Sequence, residues 1–169
     1  MPWLTLPFNA VGLAPLAGIT DSPFRELCKE SGADFVFSEM ISATGICRNE
    51  SQEMWDDATK KLVTGSKSLE YGRFKQKERP IILQLFGHDP IEMAQAAKIL
   101  IERFQPDGID INMGCPARSV IEKGSGGALI GNEKLAEANN SSNEYNLYGC
   151  LFFRYLLWHK NCESIKPSS

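Results

Sequence analysis

Short apolar runs alternate with helix-start chemistry along this chain, and that alternation constrains its fold more than any other feature. The first run, residues 11–14, closes at Pro15 and Gly18. Thr20-Asp21-Ser22-Pro23 follows, with a capping oxygen and an early proline, and predicts a helix start. Phe24, Leu27 and Cys28 share one helical face, and Gly32 marks the stop. A second run, Phe35-Val36-Phe37, leads into Ser38-Glu39-Met40. The third, Ile81-Ile82-Leu83-Gln84-Leu85-Phe86, is the clearest strand and stops at Gly87. Asp89-Pro90-Ile91-Glu92 then predicts a capped helix, carried on by Met93, Ala97, Leu100, Ile101 and Phe104 at helical spacing. The fourth run, Ile109-Asp110-Ile111-Asn112, precedes Met113-Gly114-Cys115-Pro116. Asn132-Glu133 opens a fourth helix at Lys134-Leu135-Ala136.

The resulting order, β-α-β-α-β-α-β-α, implies a parallel sheet with helical crossovers, an α/β fold. Residues 41–79 are polar and mixed. They predict loop and short helix, with an amphipathic piece near residues 54–62. Gln84 and Asp110 are polar residues in buried-looking strands. In a barrel such groups face the interior or the C-terminal mouth, where chemistry is done. The length of 169 residues falls short of the roughly 250 that a complete (β/α)₈ barrel uses.

Composition removes several function classes. The net charge of -3 gives no bulk attraction to nucleic acid, although a local basic patch remains compatible with it. No apolar run reaches the ~18–20 residues of a membrane span. The longest candidate, residues 147–158, is short and carries Arg154. The first residues lack the basic region of a signal peptide. Five cysteines, Cys28, Cys47, Cys115, Cys150 and Cys162, form no C-x-x-C pair. They read as reduced thiols in a cytoplasmic protein, with nuclear or organellar sites also compatible. Two histidines, His88 and His159, and no clustered cysteines argue against a metal site.

Four stretches carry a resemblance to a known family. They are Leu13-Ala14-Pro15-Leu16-Ala17-Gly18-Ile19-Thr20-Asp21, Ser38-Glu39-Met40, Gln84-Leu85-Phe86-Gly87, and Asp110-Ile111-Asn112-Met113-Gly114-Cys115-Pro116-Ala117. Lys123-Gly124-Ser125-Gly126-Gly127-Ala128-Leu129 continues the pattern. Together, in this order, they resemble the tRNA-dihydrouridine synthases. The family commonly has Met where this chain has Leu16. The resemblance implies a TIM-barrel-type α/β fold, of which this chain holds about the first half, four strands and four helices. We divide the chain accordingly into residues 1–137, the N-terminal half of an FMN-binding barrel, and residues 138–169. In the latter, the polar tract Asn139-Asn140-Ser141-Ser142-Asn143 follows Ala138, and the tail after Ala138 matches nothing in the family. This tail reads as an alternative end such as intron read-through or a frameshift.

The resemblance also implies chemistry: reduction of uridine in tRNA to 5,6-dihydrouridine, with FMN as cofactor and NADPH as electron donor. Cys115 is the implied catalytic residue, protonating C5 of the base. A thiol is mostly protonated near neutral pH, so it suits a general acid. A lone cysteine is more often structural, but the strand-end setting of Cys115 favours the catalytic role. Pro15, Leu16 and Ala17 match the segment that lies against the flavin; by themselves they read as a strand-to-helix turn. Gln84 carries an amide that suits the edge of the flavin ring, or is a satisfied polar group at a strand end. Asn112 contacts flavin or substrate, or holds a turn. Glu39 and Met40 are substrate candidates, with Glu39 alternatively orienting a neighbour or lying on the surface. Arg118 and Lys123 reach for RNA phosphate or are solvated surface charges.

Two other readings fit the same residues. One is a dihydropyrimidine-dehydrogenase-like flavoenzyme acting on a free base. The other is a non-catalytic truncated product. TIM barrels often bind phosphate with loops after the seventh and eighth strands, so the short chain predicts weak FMN binding. Open strand edges predict self-association unless the tail adds pairing.

Overall fold

The computed structural model describes residues 9–50, 54–56, 61–63, 67–141 and 148–149. In chain order, β1 (Gly12–Leu13), α1 (Ser22–Glu30), β2 (Phe35–Ser42) and α2 (Ala43–Glu50) come first. A short antiparallel pair follows, β3 (Met54–Asp56) and β4 (Lys61–Val63), then α3 (Lys67–Glu70). The second half holds β5 (Ile81–Phe86), α4 (Pro90–Phe104), β6 (Gly108–Ile111), α5 (Arg118–Ile121), α6 (Glu133–Ser141) and β7 (Tyr148–Gly149).

The main sheet runs β1-β2-β5-β6-β7, and every neighbouring pair in it is parallel. Strands that pair in chain order with helical crossovers are the wall of a TIM-type barrel, here about half of one. All but the last residue of β5 are buried, which explains a run that is apolar except for Gln84. From α4, Met93, Ala96, Ala97 and Leu100 are sealed from solvent at helical spacing. Together with Ile41, Leu83, Leu85 and Ile111 they form the core. Burying one such large side chain stabilises the fold by about 1.5–3 kcal/mol.

Both expected helix caps are present. The Asp21 carboxylate accepts from the Phe24 amide, and that of Asp89 accepts from the Ile91 and Glu92 amides. The face of α1 differs from the sequence expectation. Leu27 is 56% exposed, and the buried residue of this helix is Arg25. The reason lies far along the chain, in the carboxylate of Glu78, which meets Arg25 at 2.6 Å. Residues 41–79 do contain short helices, α2 and α3. Where an amphipathic piece was expected, however, stand β3 and β4.

β2 carries an irregularity that matters for the site. Val36 and Phe37 pair with Ile81 and Ile82, but Met40 pairs with Gln84, so Ser38 and Glu39 together oppose Leu83. Such a bulge bends a strand and re-aims its side chains. Ser38 turns its hydroxyl to accept from the Gln84 amide at 3.0 Å, repairing the ladder from a side chain. Within the tail, β7 pairs with β6 through Tyr148 and Gly149. The remainder of the expected 147–158 element, like Cys150, His159 and Cys162, lies outside the described residues.

Candidate functional site

Parallel register sets three polar or soft side chains in one row across the sheet. Met40 stands opposite Gln84, and Gln84 opposite Asp110. The loops that leave the C-terminal ends of β1 and β6 rise beside this row. Together they enclose a cleft of about 350 Å³. The β1 loop supplies Pro15, Leu16 and Ala17 to its lining, and β2 supplies Met40. β5 supplies Gln84, and the segment after β6 supplies Asn112, Met113, Gly114, Cys115 and Pro116.

The polar groups of the cleft form one directed chain. Gln84 Nε2 donates to Asp110 Oδ2 at 2.7 Å, and Gln84 Oε1 accepts from Asn112 Nδ2 at 3.0 Å. Asn112 Oδ1 then accepts from two backbone amides, those of Gly114 at 3.1 Å and Cys115 at 2.9 Å. Asn112 therefore holds the turn above all else, because both lone pairs of its carbonyl are taken. Its Nδ2 also faces Met40 Sδ at 3.6 Å, a weak contact that a better acceptor would displace. Gln84 keeps one N–H and one lone pair in reserve.

Cys115 sits at the rim, half-buried, with a free thiol. Its carbonyl accepts from the Gly127 amide at 3.0 Å. Gly126 adopts φ of +60°, and a Cβ there would lie 3.0 Å from the Cys115 carbonyl oxygen. The glycine-rich stretch 124–127 therefore lets backbone pack directly against the cysteine, a role that fits glycine alone.

The opposite wall is held from two sides. The Thr20 hydroxyl, fully buried, accepts from the Leu16 amide and donates to the Leu16 carbonyl, both at 3.1 Å. Glu39, re-aimed by the bulge in β2, accepts the Gly18 amide on its carboxylate. Glu39 thus orients a neighbouring loop and does not line the cleft. Arg118 and Lys123 do not line it either. Both are exposed, and Arg118 pairs with Glu122 at 2.8 Å. His88 is an exposed loop residue beside Gly124.

The structure therefore gathers Cys115, Pro15, Leu16, Ala17, Met40, Gln84 and Asn112 into one cleft. Sequence reasoning noticed Asp110 as a buried polar residue but gave it no place in the site. It also missed Thr20, Ser38, Gly126 and Gly127, whose roles depend on partners in other segments. No cluster of potential metal ligands occurs among the described residues. No described helix is long and apolar enough to cross a membrane.

Comparison with known proteins agrees with this geometry. A sequence profile of the dihydrouridine synthase (Dus) family matches residues 12–141. The probable tRNA-dihydrouridine synthase of Aquifex aeolicus is 36% identical over 118 residues, covering 70% of this chain and 32% of that protein. tRNA-dihydrouridine synthase B of Pasteurella multocida is 40% identical over 122 residues, covering 72% of this chain and 32% of its own length. The Escherichia coli K12 enzyme of the same name is 40% identical over 124 residues, 72% of this chain and 33% of that protein. The chain spans about a third of the length of the relatives it matches. With the profile covering every strand that lines the cleft, from β1 to β6, this chain belongs to the dihydrouridine synthase family.

Proposed function

We propose that this chain carries the reducing half-site of a flavin-dependent tRNA-dihydrouridine synthase, converting uridine in tRNA to 5,6-dihydrouridine. One observation carries the reading: four strand ends converge on a single cleft that places a free cysteine beside paired amides and apolar walls. The residues present fit a flat heteroaromatic ring. Pro15, Leu16, Met40 and Met113 offer apolar faces, and Ala17 is small enough for close backbone approach. Gln84 offers one spare donor and one spare acceptor to a ring edge. Pro15, Leu16, Ala17, Gln84 and Asn112 would hold FMN. When bound, FMN supplies a hydride equivalent drawn from NADPH.

The chain's own part is protonation. Addition of hydride to C6 of uracil leaves C5 in need of a proton, and Cys115 Sγ holds one at the cleft rim. General acid catalysis of this kind is worth about 10²–10⁴-fold in rate. A uridine in folded tRNA has to leave its stack to reach the cleft. Arg118 and Lys123 are both exposed, and in this reading they meet RNA phosphate. Among the described residues no cysteine is in a disulfide, which fits a cytoplasmic setting. We assign residues 1–137 to this half-barrel and 138–169 to a tail whose first residues complete α6 and which lends β7 to the edge of the sheet.

The test compares the full chain with Cys115→Ala, supplied with FMN and NADPH, on tRNA and on free uracil. Dihydrouridine formed in tRNA, and lowered about 100-fold or more in the variant, supports the reading. Product from free uracil alone points to a dihydropyrimidine-dehydrogenase-like enzyme. No product from either points to a non-catalytic chain.

A further inference from the structure

We propose that Asp110 is a positioning residue for Cys115, acting through the side chains of Gln84 and Asn112. The inference rests on the reading of Cys115 as the proton donor, because only then does the placement of its thiol matter to the reaction. Asp110, Gln84 and Asn112 are 4%, 5% and 7% exposed, so their hydrogen bonds are made inside the protein.

Side-chain amides are ambiguous in direction, since either end can face a given neighbour. Here both ends of the chain remove that freedom. At one end stands the Asp110 carboxylate, which in its ionised form only accepts. Gln84 must therefore present Nε2 to it, as it does at 2.7 Å. That choice turns Oε1 toward Asn112, which must then present Nδ2, as it does at 3.0 Å. Oδ1 is left for the amides of Gly114 and Cys115. At that far end two N–H groups require an acceptor. If Asn112 were turned over, its NH₂ would face both of them, and two hydrogen bonds would be lost together.

The carboxylate at one end and the two backbone N–H groups at the other thus agree on which way both side-chain amides point, and Asn112 ties that direction to the backbone that carries the thiol. Asp110 is not itself among the residues that line the cleft; it meets the lining through Gln84. Its effect travels through two side chains and ends at the Cys115 amide. An amide at position 110 would keep the size of the side chain but could face Gln84 with either end.

Alkylation of the full chain by iodoacetamide, followed for each cysteine by peptide mass mapping, tests this. Cys28, half-buried in α1, serves as the internal reference. In Asp110→Asn the Cys115 rate rises about threefold or more relative to Cys28, because a loosened loop exposes its thiol. The double variant Asp110→Asn with Gln84→Glu returns the ratio to that of the unmodified chain. There the new carboxylate at position 84 accepts from the new amide at 110 and again accepts from Asn112, restoring the direction of the chain. An unchanged ratio in Asp110→Asn, a parallel rise of both thiols, or a raised ratio that the double variant does not restore overturns the proposal. Should Asp110→Asn lose its fold, a cooperative melt of the double variant supports the proposal and its absence overturns it. Full tRNA activity in Cys115→Ala would instead defeat the proton-donor reading, and the alkylation ratios are read independently of that result.

Discussion

Arg25 and Glu78, 53 residues apart in the chain, meet at 2.6 Å with side chains 3% and 0% exposed. Each is further satisfied. Arg25 donates to the carbonyls of Thr20 and Arg73, and Glu78 accepts from Ser22 Oγ and the Lys75 amide. This pair fastens α1 to the segment before β5, and through the Thr20 carbonyl it reaches the loop that walls the cleft. Removing one partner leaves a buried charge without its counterpart. We expect Arg25→Ala or Glu78→Ala to cost about 3–5 kcal/mol, read from the urea midpoint. The double variant Arg25→Met with Glu78→Leu should cost far less than either, since no lone charge remains. A double variant as unstable as the singles would contradict this account.

Glu26, one residue on, predicts an acid limb of stability. Hydrogen bonds from Lys75 and then Lys77 hold its carboxyl down from 4.5 to about 2. Because the folded carboxyl titrates below its unfolded counterpart, its stabilising effect is complete above about 4.5 and fades as pH falls toward about 2. The stability gap between the unmodified chain and Glu26→Gln should therefore be steady near neutrality and close on acidification. Both lysines are more than half exposed, so salt near 1 M should shrink the gap as well. A gap that widens in acid would show the sign to be wrong.

The grip of Glu39 on the Gly18 amide gives a prediction about the cleft wall. A carboxylate accepting from backbone N–H is a charge-assisted bond, here at an exposed loop. Glu39→Ala frees residues 16–18 on one side, while Glu39→Gln keeps an acceptor in place. Flavin fluorescence titrations should show FMN affinity about three- to tenfold weaker for the alanine variant, with glutamine close to the unmodified chain. Equal affinities for all three would mean that the loop needs no support from β2.

These contacts mark where the sequence stops being legible. Asp21 and Asp89 act on amides two or three residues away, so their caps could be read directly. The apolar run of β5 and the spacing within α4 were legible for the same reason: their pattern is local. With Cys115, Gln84 and Asn112, contiguous motifs allowed each to be singled out, and the structure brings all three to one cleft. The burial of Arg25 was not legible, because its partner comes from another segment and nothing near Arg25 announces it. The bulge at Ser38 and Glu39 was hidden too. A run of eight strand residues carries no mark of the one that falls out of register. β3 and β4, three residues each, are too short for period-two alternation to separate them from a helical stripe.

Gly126 offers the sharpest check on how Cys115 is held. Its φ of +60° disfavours any side chain. A Cβ there would stand 2.8 Å from Val120 Cγ1 and 3.0 Å from the Cys115 carbonyl oxygen. The valine can shift, but the carbonyl is backbone and already bonded to the Gly127 amide at 3.0 Å. Gly126→Ala should therefore cost about 1–3 kcal/mol in a urea melt, combining backbone strain with the clash. It should also move the Cys115 thiol, so iodoacetamide should distinguish the variant at Cys115 while leaving Cys28 unchanged. Gly131, four residues beyond Gly127, has nothing within 4 Å of its added Cβ and no positive φ. Gly131→Ala should leave both readings alone. If the two alanine variants behaved alike, the glycine-rich segment would be a plain loop, and close packing against Cys115 would have no consequence for the site.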